Sequence, residues 1–373
     1  MFNFDNNLTL NCLFAFIFAL AIAFACTPAV KMLEIKIKAV DVPKDNRRMH
    51  KVPIPRMGGL AIFSGFLLSS ILFIPMNGQF RAILIGALLL VVLGIVDDVV
   101  ALDAKIKFVG QIVAALIPAL AGVVIRGFGH PFAENSYFYL GVLSIPVTVL
   151  WIVGITNAVN FIDGLDGLAC GVSAIATVTM LIIAVLYSEV QVALMMAALA
   201  GACLGFLPYN MNPAKIFMGD TGSMFLGYIL AVTSIQGLFK FYAVISFAVP
   251  FILLGLPLFD TGFAIIRRLL KGQSPLQADR GHVHHRLIDL GFDQKQSVAI
   301  LYAFSALMGL TAVILARTNE SKLIFLALAV LVCFFLAMTL MSVEKRRSKE
   351  TQAMLEKMQQ SANDEQKQED NPS

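Results

Sequence analysis

Five aspartates stand at the ends of long apolar segments, beside residue types that accompany phosphate chemistry. Asp97 and Asp98 are adjacent, Asp163 and Asp166 belong to one Asp-Gly-Leu-Asp run, and Asp220 lies in the run Phe-Met-Gly-Asp-Thr-Gly-Ser. Carboxylates in or beside membrane spans are costly, so they are retained for chemistry, ion binding or transport. The glycines and asparagines beside them favour a site for a metal ion and a phosphorylated substrate over a buried ion pair.

The adjacent pair Asp97 and Asp98 needs a positive neighbour if both side chains are to be ionised. Mg²⁺ is one such neighbour, since it takes oxygen ligands from one or two carboxylates, water and substrate phosphates. A solvated helix end explains the pair equally well. Lys107 and Gln111 begin the next apolar segment and share one helical face. Lys107 is therefore either an interface anchor or a group that binds a lipid-borne phosphate.

The segment from Asn157 to Gly167 is the most specific of the polar runs. Asn157, Asn160 and Asp163 recur every third residue, which places their side chains about one turn apart if the helix continues. Asp166 has an alternative role as the N-cap of the following helix. Asp220 has the same two readings, helix cap or metal ligand.

A histidine-rich segment lies in the ninth connection of the chain. It contains Arg280, His282, His284 and His285. Such a run can bind zinc, but no cysteine lies nearby and no second histidine-rich segment exists to complete a zinc site. Imidazole and guanidinium groups together also form a cradle for a pyrophosphate, which is the interpretation we favour.

The composition is that of a membrane protein. The chain has 373 residues, of which 58% are hydrophobic and 14% charged, whereas a soluble domain has about a quarter charged residues. The net charge of +4 is small and gives no indication of nucleic-acid binding. Five scattered cysteines without a CxxC pair are expected to be packing residues.

The sequence predicts an all-α integral membrane bundle of about eleven transmembrane helices, with ten as the alternative count. The apolar segments lie near 8–30, 58–76, 81–97, 107–125, 139–157, 168–187, 190–208, 221–239, 241–266, 298–316 and 321–343. The first segment lacks a basic start and is expected to be an uncleaved span. Residues 1–343 are expected to form one catalytic domain, and 344–373 a charged, disordered cytoplasmic tail.

Lysine and arginine concentrate in the odd-numbered connections and after the last span. The positive-inside rule therefore predicts an external N-terminus and a cytoplasmic C-terminus. The expected cytoplasmic loops are 31–57, 97–107, 157–167, 209–221 and 267–297. These loops contain the five aspartates and the histidines, so the sequence predicts one site on the cytoplasmic face.

The chain resembles the polyprenyl-phosphate N-acetylhexosamine-1-phosphate transferases over roughly residues 40 to 290. The shared motifs occur in the family's order: Pro55-Arg56-Met57-Gly58-Gly59, the acidic pair with Lys107 and Gln111, NxxNFIDGLDGL, FMGDTGS and the histidine loop. The histidine loop is similar to the WecA/TagO type, which favours UDP-N-acetylglucosamine (UDP-GlcNAc) as the sugar donor. It differs from the three successive histidines of the phospho-MurNAc-pentapeptide transferases.

The resemblance implies a Mg²⁺-dependent transfer, with Mn²⁺ as the alternative metal, of a sugar 1-phosphate from a UDP-sugar to undecaprenyl phosphate with release of UMP. All five aspartates become catalytic candidates. Asp220 is the expected metal ligand, Asn160 the second candidate, and Asp97 and Asp98 further ones. Asp98 is expected to deprotonate or orient the lipid phosphate, and Lys107 to hold a phosphate.

The same resemblance implies a pocket for the nucleotide sugar. Asp163 and Asp166 are expected to shape it, with Asn157 and Gln111 as further binding residues. The groups expected to contact the sugar or pyrophosphate are Arg280, His282, His284 and His285.

Several alternatives stay open at this point. A phospho-MurNAc-pentapeptide transferase or an enzyme for another UDP-amino sugar would share most motifs. A cation-coupled secondary transporter is the rival of a different class, but its acids usually lie near the membrane midplane. The expected location is the bacterial cytoplasmic membrane, and the sequence leaves a homodimer open.

Overall fold

The apolar segments fold into helices, and the chain is an all-α multi-pass membrane protein, which confirms the predicted fold class. The computed structural model describes residues 7–37, 39–41, 53–129, 137–237, 245–270 and 282–317. Its helices are, in chain order, α1 Leu8–Ile37, α2 Gly59–Phe73, α3 Gly78–Val100, α4 Ala104–Leu120, α5 Ser144–Ile162, α6 Leu168–Leu186, α7 Val190–Asn210, α8 Gly219–Gly237, α9 Ile245–Leu253, α10 Gly255–Leu270, α11 Val283–Asp289 and α12 Gln294–Arg317.

Two short antiparallel strand pairs lie outside the helices. β1 (Val40–Asp41) pairs with β2 (Ile54–Pro55) just before α2. β3 (Gly127–Gly129) pairs with β4 (Tyr137–Tyr139) between α4 and α5. A 3₁₀ turn at Gly141–Leu143 then leads directly into α5.

Six of the described helical stretches are long and apolar enough to cross a bilayer. They are Leu8–Ile37, Gly78–Val100, Gly141–Ile162, Leu168–Leu186, Val190–Asn210 and Gln294–Ala316. The total of about eleven spans and the orientation of the termini stay predictions. The segment 321–343 and the tail 344–373 lie outside the described residues.

One predicted span, 241–266, differs from the structure because two helices replace it. α9 ends at Leu253 and α10 begins at Gly255, so the helix is interrupted at Leu254. Pro257 explains the break, since it has no N–H to donate to the carbonyl of Leu253 and is tolerated in the first turn of a new helix. α10 then runs beyond the predicted end, to Leu270.

α1 packs against α2 and α7 through small side chains. Ala15, Ala19 and Ala23 on α1 are fully buried. On α7, a Cβ atom at Gly205 would lie 3.1 Å from the carbonyl carbon of Leu20. Lipid tails are as apolar as leucine, so helices in a bilayer associate through close packing of small residues, as here.

α8 is the central helix of the bundle. All its residues from Thr221 to Gly237 are buried, and α2, α3, α5, α6 and α7 contact it. Because neighbours cover every side of α8, its first residue, Gly219, and Asp220 next to it are fixed relative to the ends of those helices. The position of Asp220 is therefore set by the packing of the whole bundle.

Candidate active site

The segment 53–59 holds the start of α8 by three backbone hydrogen bonds. The N–H of Phe217 donates to the carbonyl of Pro55 at 2.7 Å, and the N–H groups of Gly58 and Gly59 donate to the carbonyls of Phe217 and Met218, each at 2.9 Å. This pairing places the Pro-Arg-Met-Gly-Gly motif directly beside Asp220.

Glycines permit this close approach. A Cβ at Gly59 would lie 2.7 Å from the carbonyl carbon of Thr221, and one at Gly94 would lie 2.6 Å from the nitrogen of Thr221. Ordinary van der Waals contact begins near 3.4 Å. α2 and α3 therefore touch the backbone of α8 at its first turn, where no side chain would fit.

Asp98 caps α8 from a distance along the chain. Its Oδ1 accepts the N–H of Asp220 at 3.1 Å, and its Oδ2 accepts both the N–H and the hydroxyl of Thr221, at 3.0 and 2.7 Å. The first N–H groups of a helix have no partner within the helix, so a carboxylate there satisfies them and complements the helix dipole. Both oxygens of the buried Asp98 are thus bound to the backbone and side chain of α8.

Arg56 joins this cap to the end of α3. Its guanidinium donates to the carbonyl oxygens of Asp98 at 2.8 Å and Asp97 at 3.2 Å, and its Nε lies 3.7 Å from Oδ1 of Asp98. The next residue, Met57, donates its N–H to the fully buried Glu34 on α1 at 2.9 Å. Arg56 and Glu34 therefore anchor the motif between α1 and α3.

Asp97 and Asp220 converge on one ammonium group. Lys107 Nζ donates to Asp97 Oδ2 at 2.9 Å and also contacts Asp220 Oδ2. The other oxygen of Asp220 accepts from Asn160 Nδ2 at 2.7 Å, and Asn160 Nδ2 also lies 2.8 Å from the Ser223 hydroxyl. Residues from α3, α4, α5 and α8 thus meet in one polar layer.

Gln111 and Asn157 form the next pair in this layer. Asn157 Nδ2 donates to Gln111 Oε1 at 2.6 Å and to the carbonyl of Val153 at 2.8 Å, while Gln111 Nε2 donates to Asn157 Oδ1 at 3.3 Å. The two amides therefore satisfy each other. They brace α4 against α5 one turn away from Lys107 and Asn160.

Asp163 has no hydrogen-bond donor on its carboxyl among the described residues. Burial raises the pKa of Asp163 well above its usual range, and repulsion from Asp220, Asp98 and Asp166 raises it further. When ionised, Asp163 lacks, within the described part of the chain, the cation or hydrogen-bond donor that the other four aspartates of the site have. Asp163 is therefore the acid of this site most ready to accept a proton or a ligand.

Asp166 does not cap the following helix, although the sequence allowed that role. The N-cap of α6 is Gly167, in the left-handed conformation with φ 78°, and no side chain caps it. Asp166 Oδ2 instead accepts from Asn212 Nδ2 at 2.9 Å and from the N–H of Ala214 at 3.0 Å. It therefore ties the Asp-Gly-Leu-Asp turn to the segment that leads into α8.

The histidine segment packs against this same turn. A Cβ at Gly164 would lie 2.8 Å from Cε1 of His284, so the imidazole lies directly on the turn's backbone. Burial, followed by the nearby His285, lowers the pKa of His284 to about 3. His285 lies beside it, at 4.3 Å between ring centroids. Arg280 lies outside the described residues.

Comparison with known proteins gives the relationship that this arrangement suggests. The sequence profile described as "Glycosyl transferase family 4" matches residues 80–238. The "Probable undecaprenyl-phosphate N-acetylglucosaminyl 1-phosphate transferase" of Bacillus subtilis (strain 168) is 42% identical over 329 residues, which cover 88% of this chain and 90% of the relative. The chain belongs to the polyprenyl-phosphate N-acetylhexosamine-1-phosphate transferases.

Other members of the family are similar over less of their length. The "Undecaprenyl-phosphate alpha-N-acetylglucosaminyl 1-phosphate transferase" of Yersinia pestis is 30% identical, over 81% of this chain and 82% of its own. A "Phospho-N-acetylmuramoyl-pentapeptide-transferase" of Staphylococcus saprophyticus is 33% identical, over 70% of this chain and 85% of its own. The membership confirms the resemblance drawn from the motifs.

The donor atoms of the polar layer fit the divalent metal that this transferase family implies. Asp97 and Asp220 present carboxylate oxygens, the ligands that Mg²⁺ prefers, and they already converge on a cation, the ammonium of Lys107. Within the described ranges, no three His, Cys, Asp or Glu side chains are close enough to enclose a metal on their own. Mg²⁺ does not require that, because it takes the rest of its shell from water and phosphate.

Of the sequence-predicted site residues, the structure brings Asp97, Asp98, Lys107, Gln111, Asn157, Asn160 and Asp220 into one layer, and it places His284 on the turn that contains Asp163 and Asp166. Sequence reasoning missed Glu34 and Asp260, two acids buried in apolar helices. An acid within an apolar run was the available signal for Asp260, whereas Glu34 lies between Lys31 and Lys36 and gave no such signal.

Proposed function

We propose that this protein transfers N-acetylglucosamine 1-phosphate from UDP-GlcNAc to undecaprenyl phosphate and releases UMP. The observation that carries the proposal is the convergence of Asp97, Asp220 and Lys107 in a chain that matches N-acetylglucosaminyl-1-phosphate transferases along most of its length. The reaction would form the first lipid-linked intermediate of a cell-surface glycopolymer.

The acids that face Lys107 are the best metal ligands. Asp220 and Asp97 would hold Mg²⁺, or Mn²⁺ in its place, with Asp220 oriented by Asn160, which also contacts the hydroxyl of Ser223. A bound divalent cation would supply charge neutralisation for the diphosphate. Phosphoryl transfer depends on positioning and charge stabilisation more than on covalent catalysis, and Lys107 would add a second positive group for phosphate oxygens.

Asp98 has a positioning role in this proposal. Because its two oxygens are engaged by Asp220 and Thr221, it would act by fixing the start of α8. Asp97 would then orient the lipid phosphate. Asp163, whose carboxyl has no hydrogen-bond donor among the described residues, would accept a proton from this phosphate. The sequence-based expectation that Asp98 performs this deprotonation stays a prediction, with weaker geometric support.

The chemical step that we propose is a direct displacement. An oxygen of the lipid phosphate attacks the β-phosphorus of UDP-GlcNAc, the new P–O bond forms, and the bond from the β-phosphorus to the bridging oxygen breaks. UMP leaves with that oxygen and its electron pair. Exchange of labelled UMP into UDP-GlcNAc in the absence of lipid would point instead to an aspartyl-phosphate intermediate.

The donor side of the site would use the histidine segment. His282, His284 and His285 would contact the sugar or diphosphate, and Arg280 is proposed for the same role on sequence grounds alone. The lipid phosphate lies at headgroup level while a UDP-sugar is cytosolic, so we propose that the site faces the cytoplasm from the bacterial cytoplasmic membrane. The family match argues against the cation-coupled transporter.

The test uses the purified full-length protein in detergent with undecaprenyl phosphate, Mg²⁺ and a panel of UDP-sugars, with UMP release as the readout. The panel contains UDP-GlcNAc, UDP-N-acetylgalactosamine and UDP-MurNAc-pentapeptide. We expect release with UDP-GlcNAc and a loss of release when EDTA removes the metal. Release of UMP with UDP-MurNAc-pentapeptide alone would show a pentapeptide transferase instead. No release of UMP with any donor would refute the proposal.

A further inference from the structure

A buried carboxylate on α10 is bonded to the histidine segment at two points. Asp260 is 3% exposed. Its Oδ1 accepts the N–H of Val283 at 2.7 Å, and its Oδ2 lies 2.8 Å from Nδ1 of His282. The first bond fixes the backbone where α11 begins, and the second fixes the ring of the residue just before it.

The second bond also determines where His282 carries its proton. A carboxylate can only accept hydrogen bonds, so Nδ1 of the ring must be the donor. The remaining nitrogen, Nε2, lies on the opposite side of the ring and points away from Asp260. This is the arrangement in which a carboxylate holds a histidine in one tautomer and one orientation.

The surroundings of His282 place it beside the proposed site. Its ring stacks on His284, with centroids 5.7 Å apart and planes 6° from parallel, and its centroid lies 6.0 Å from that of Phe161. Phe161 follows Asn160, which binds Asp220, and lies two residues before Asp163. With one face on His284 and Nδ1 on Asp260, His282 is held on a rigid frame, and its side chain keeps 10% exposure.

We propose that Asp260 is a positioning residue for the donor substrate, which acts by keeping Nδ1 of His282 protonated. When UDP-GlcNAc is bound, the imidazole lies between the carboxylate of Asp260 and the donor diphosphate. Its Nε2 takes up a second proton from solvent, so that Nδ1 donates to the carboxylate and Nε2 to the diphosphate. The role rests on the transferase function proposed above. It makes the charge on the ring, and not only its location, depend on a residue one helix away.

Asp260→Asn is a sharp test because Val283 fixes the orientation of the new amide. The N–H of Val283 can only donate, so the amide oxygen must face it and the NH₂ group must face Nδ1 of His282. Nδ1 then becomes the acceptor, and the ring carries its proton on Nε2. The substitution keeps the shape of the side chain at position 260 and its hydrogen bond to the N–H of Val283. It reverses the tautomer of His282 and removes the negative charge of Asp260.

The first measurement is the ¹⁵N NMR spectrum of the histidine-labelled full-length protein, without substrate. The chain has five histidines, so the His282 signals are assigned by their loss in His282→Gln. We expect a protonated Nδ1 in the wild type and an unprotonated Nδ1 in Asp260→Asn. An unprotonated Nδ1 in the wild type, or the same state in both proteins, would overturn the proposal.

The second measurement is a double-mutant cycle on UMP release. Asp260→Asn should raise KM for UDP-GlcNAc about tenfold, since the donor to the anionic diphosphate changes from a charged imidazolium to a neutral imidazole, with little change in KM for the lipid. In the His282→Gln background the same substitution should have no further effect. An equal effect in both backgrounds would assign Asp260 a purely structural role and refute the inference.

Asp293→Asn is the matched control. Asp293 accepts the N–H of Gln296 at 2.7 Å at the start of α12, and asparagine caps a helix as well as aspartate does. It should leave KM and the tautomer unchanged. The NMR experiment needs no catalysis, so inactivity of the wild type would count against the proposed function, while the NMR result separately tests whether Asp260 holds the proton on Nδ1 of His282.

Discussion

A single methyl group at Gly94 should displace the metal ligands of the site while the rest of the fold stays intact. Gly94 lies on α3, where that helix crosses the start of α8. A Cβ at this position would lie 2.6 Å from the nitrogen of Thr221 and 2.9 Å from the carbonyl carbon of Asp220. Both are backbone atoms, so no side-chain rotation can relieve the contact, and Gly94→Ala must push the two helices apart.

The size of the effect follows from these distances. Reaching ordinary contact with the nitrogen of Thr221 requires a separation of about 0.8 Å, and the Cα of Thr221, which lies closer still, requires slightly more. Asp220 therefore moves relative to Asp97 on α3 by about this amount. Overpacking of this kind costs about 1–3 kcal/mol of stability, partly offset by the higher helix propensity of alanine. A misplacement near 1 Å lowers the rate about 10²-fold, so kcat should fall by about this factor in a protein that still folds.

The assay is UMP release from UDP-GlcNAc with undecaprenyl phosphate, together with thermal unfolding in the same detergent. Gly154→Ala on α5 is the matched control, because it is also a helical glycine but has nothing within 4 Å of the added Cβ. We expect Gly154→Ala to keep wild-type turnover. A Gly94→Ala protein with turnover equal to that of Gly154→Ala would show that the position of Asp220 does not limit catalysis.

Three further predictions concern individual acids and one histidine. Asp98→Asn should lower the free energy of unfolding by about 2 kcal/mol, because the amide oxygen can replace only one carboxylate oxygen and the NH₂ group would face a backbone N–H at the start of α8. Asp97→Asn should lose turnover with a smaller shift in melting temperature, and equal shifts would contradict the cap. Asp163→Asn should raise the melting temperature at pH 8. The pKa of Asp163 is raised in the folded protein, so ionisation of Asp163 destabilises the fold as the pH rises. The gain in melting temperature should therefore shrink as the pH falls, and a constant gain would point to another cause. His284, whose folded pKa is lowered to about 3, contributes stability that is complete above its ordinary value and is lost as the pH falls from 6.5 towards 3. The melting temperature should therefore fall less over that range in His284→Gln than in the wild type, and parallel curves would exclude His284 as the source.

The sequence was sufficient to identify most of the polar layer. An acid or amide at the end of an apolar run is conspicuous, and for that reason Asp97, Asn160 and Asp220 stand out in the sequence alone. The all-α class followed from composition in the same way. Both inferences depend on local features of the chain.

The partners of these residues could not be predicted, because they depend on long-range packing. Asp98 and Thr221 are 123 residues apart in the chain, and their bond exists only because α3 crosses α8 at Gly94. Of the two adjacent aspartates, Asp98 caps a helix and Asp97 faces Lys107, a difference that their order in the sequence does not predict. The break at Leu254 was missed because the apolar composition continues through it.

The complete burial of α8 has a consequence for how the protein is made. α8, described as far as Gly237, contains buried Thr233, Ser234 and Gln236. Insertion into a bilayer becomes less favourable as such residues accumulate. The described helices that contact it most, α2, α3, α5, α6 and α7, all precede it in the chain, so a protein-lined slot can exist in the membrane before α8 is synthesised. The order of the helices along the sequence thus lets α8 bury its polar side chains against protein as it enters the membrane, and it brings Asp220 to its place.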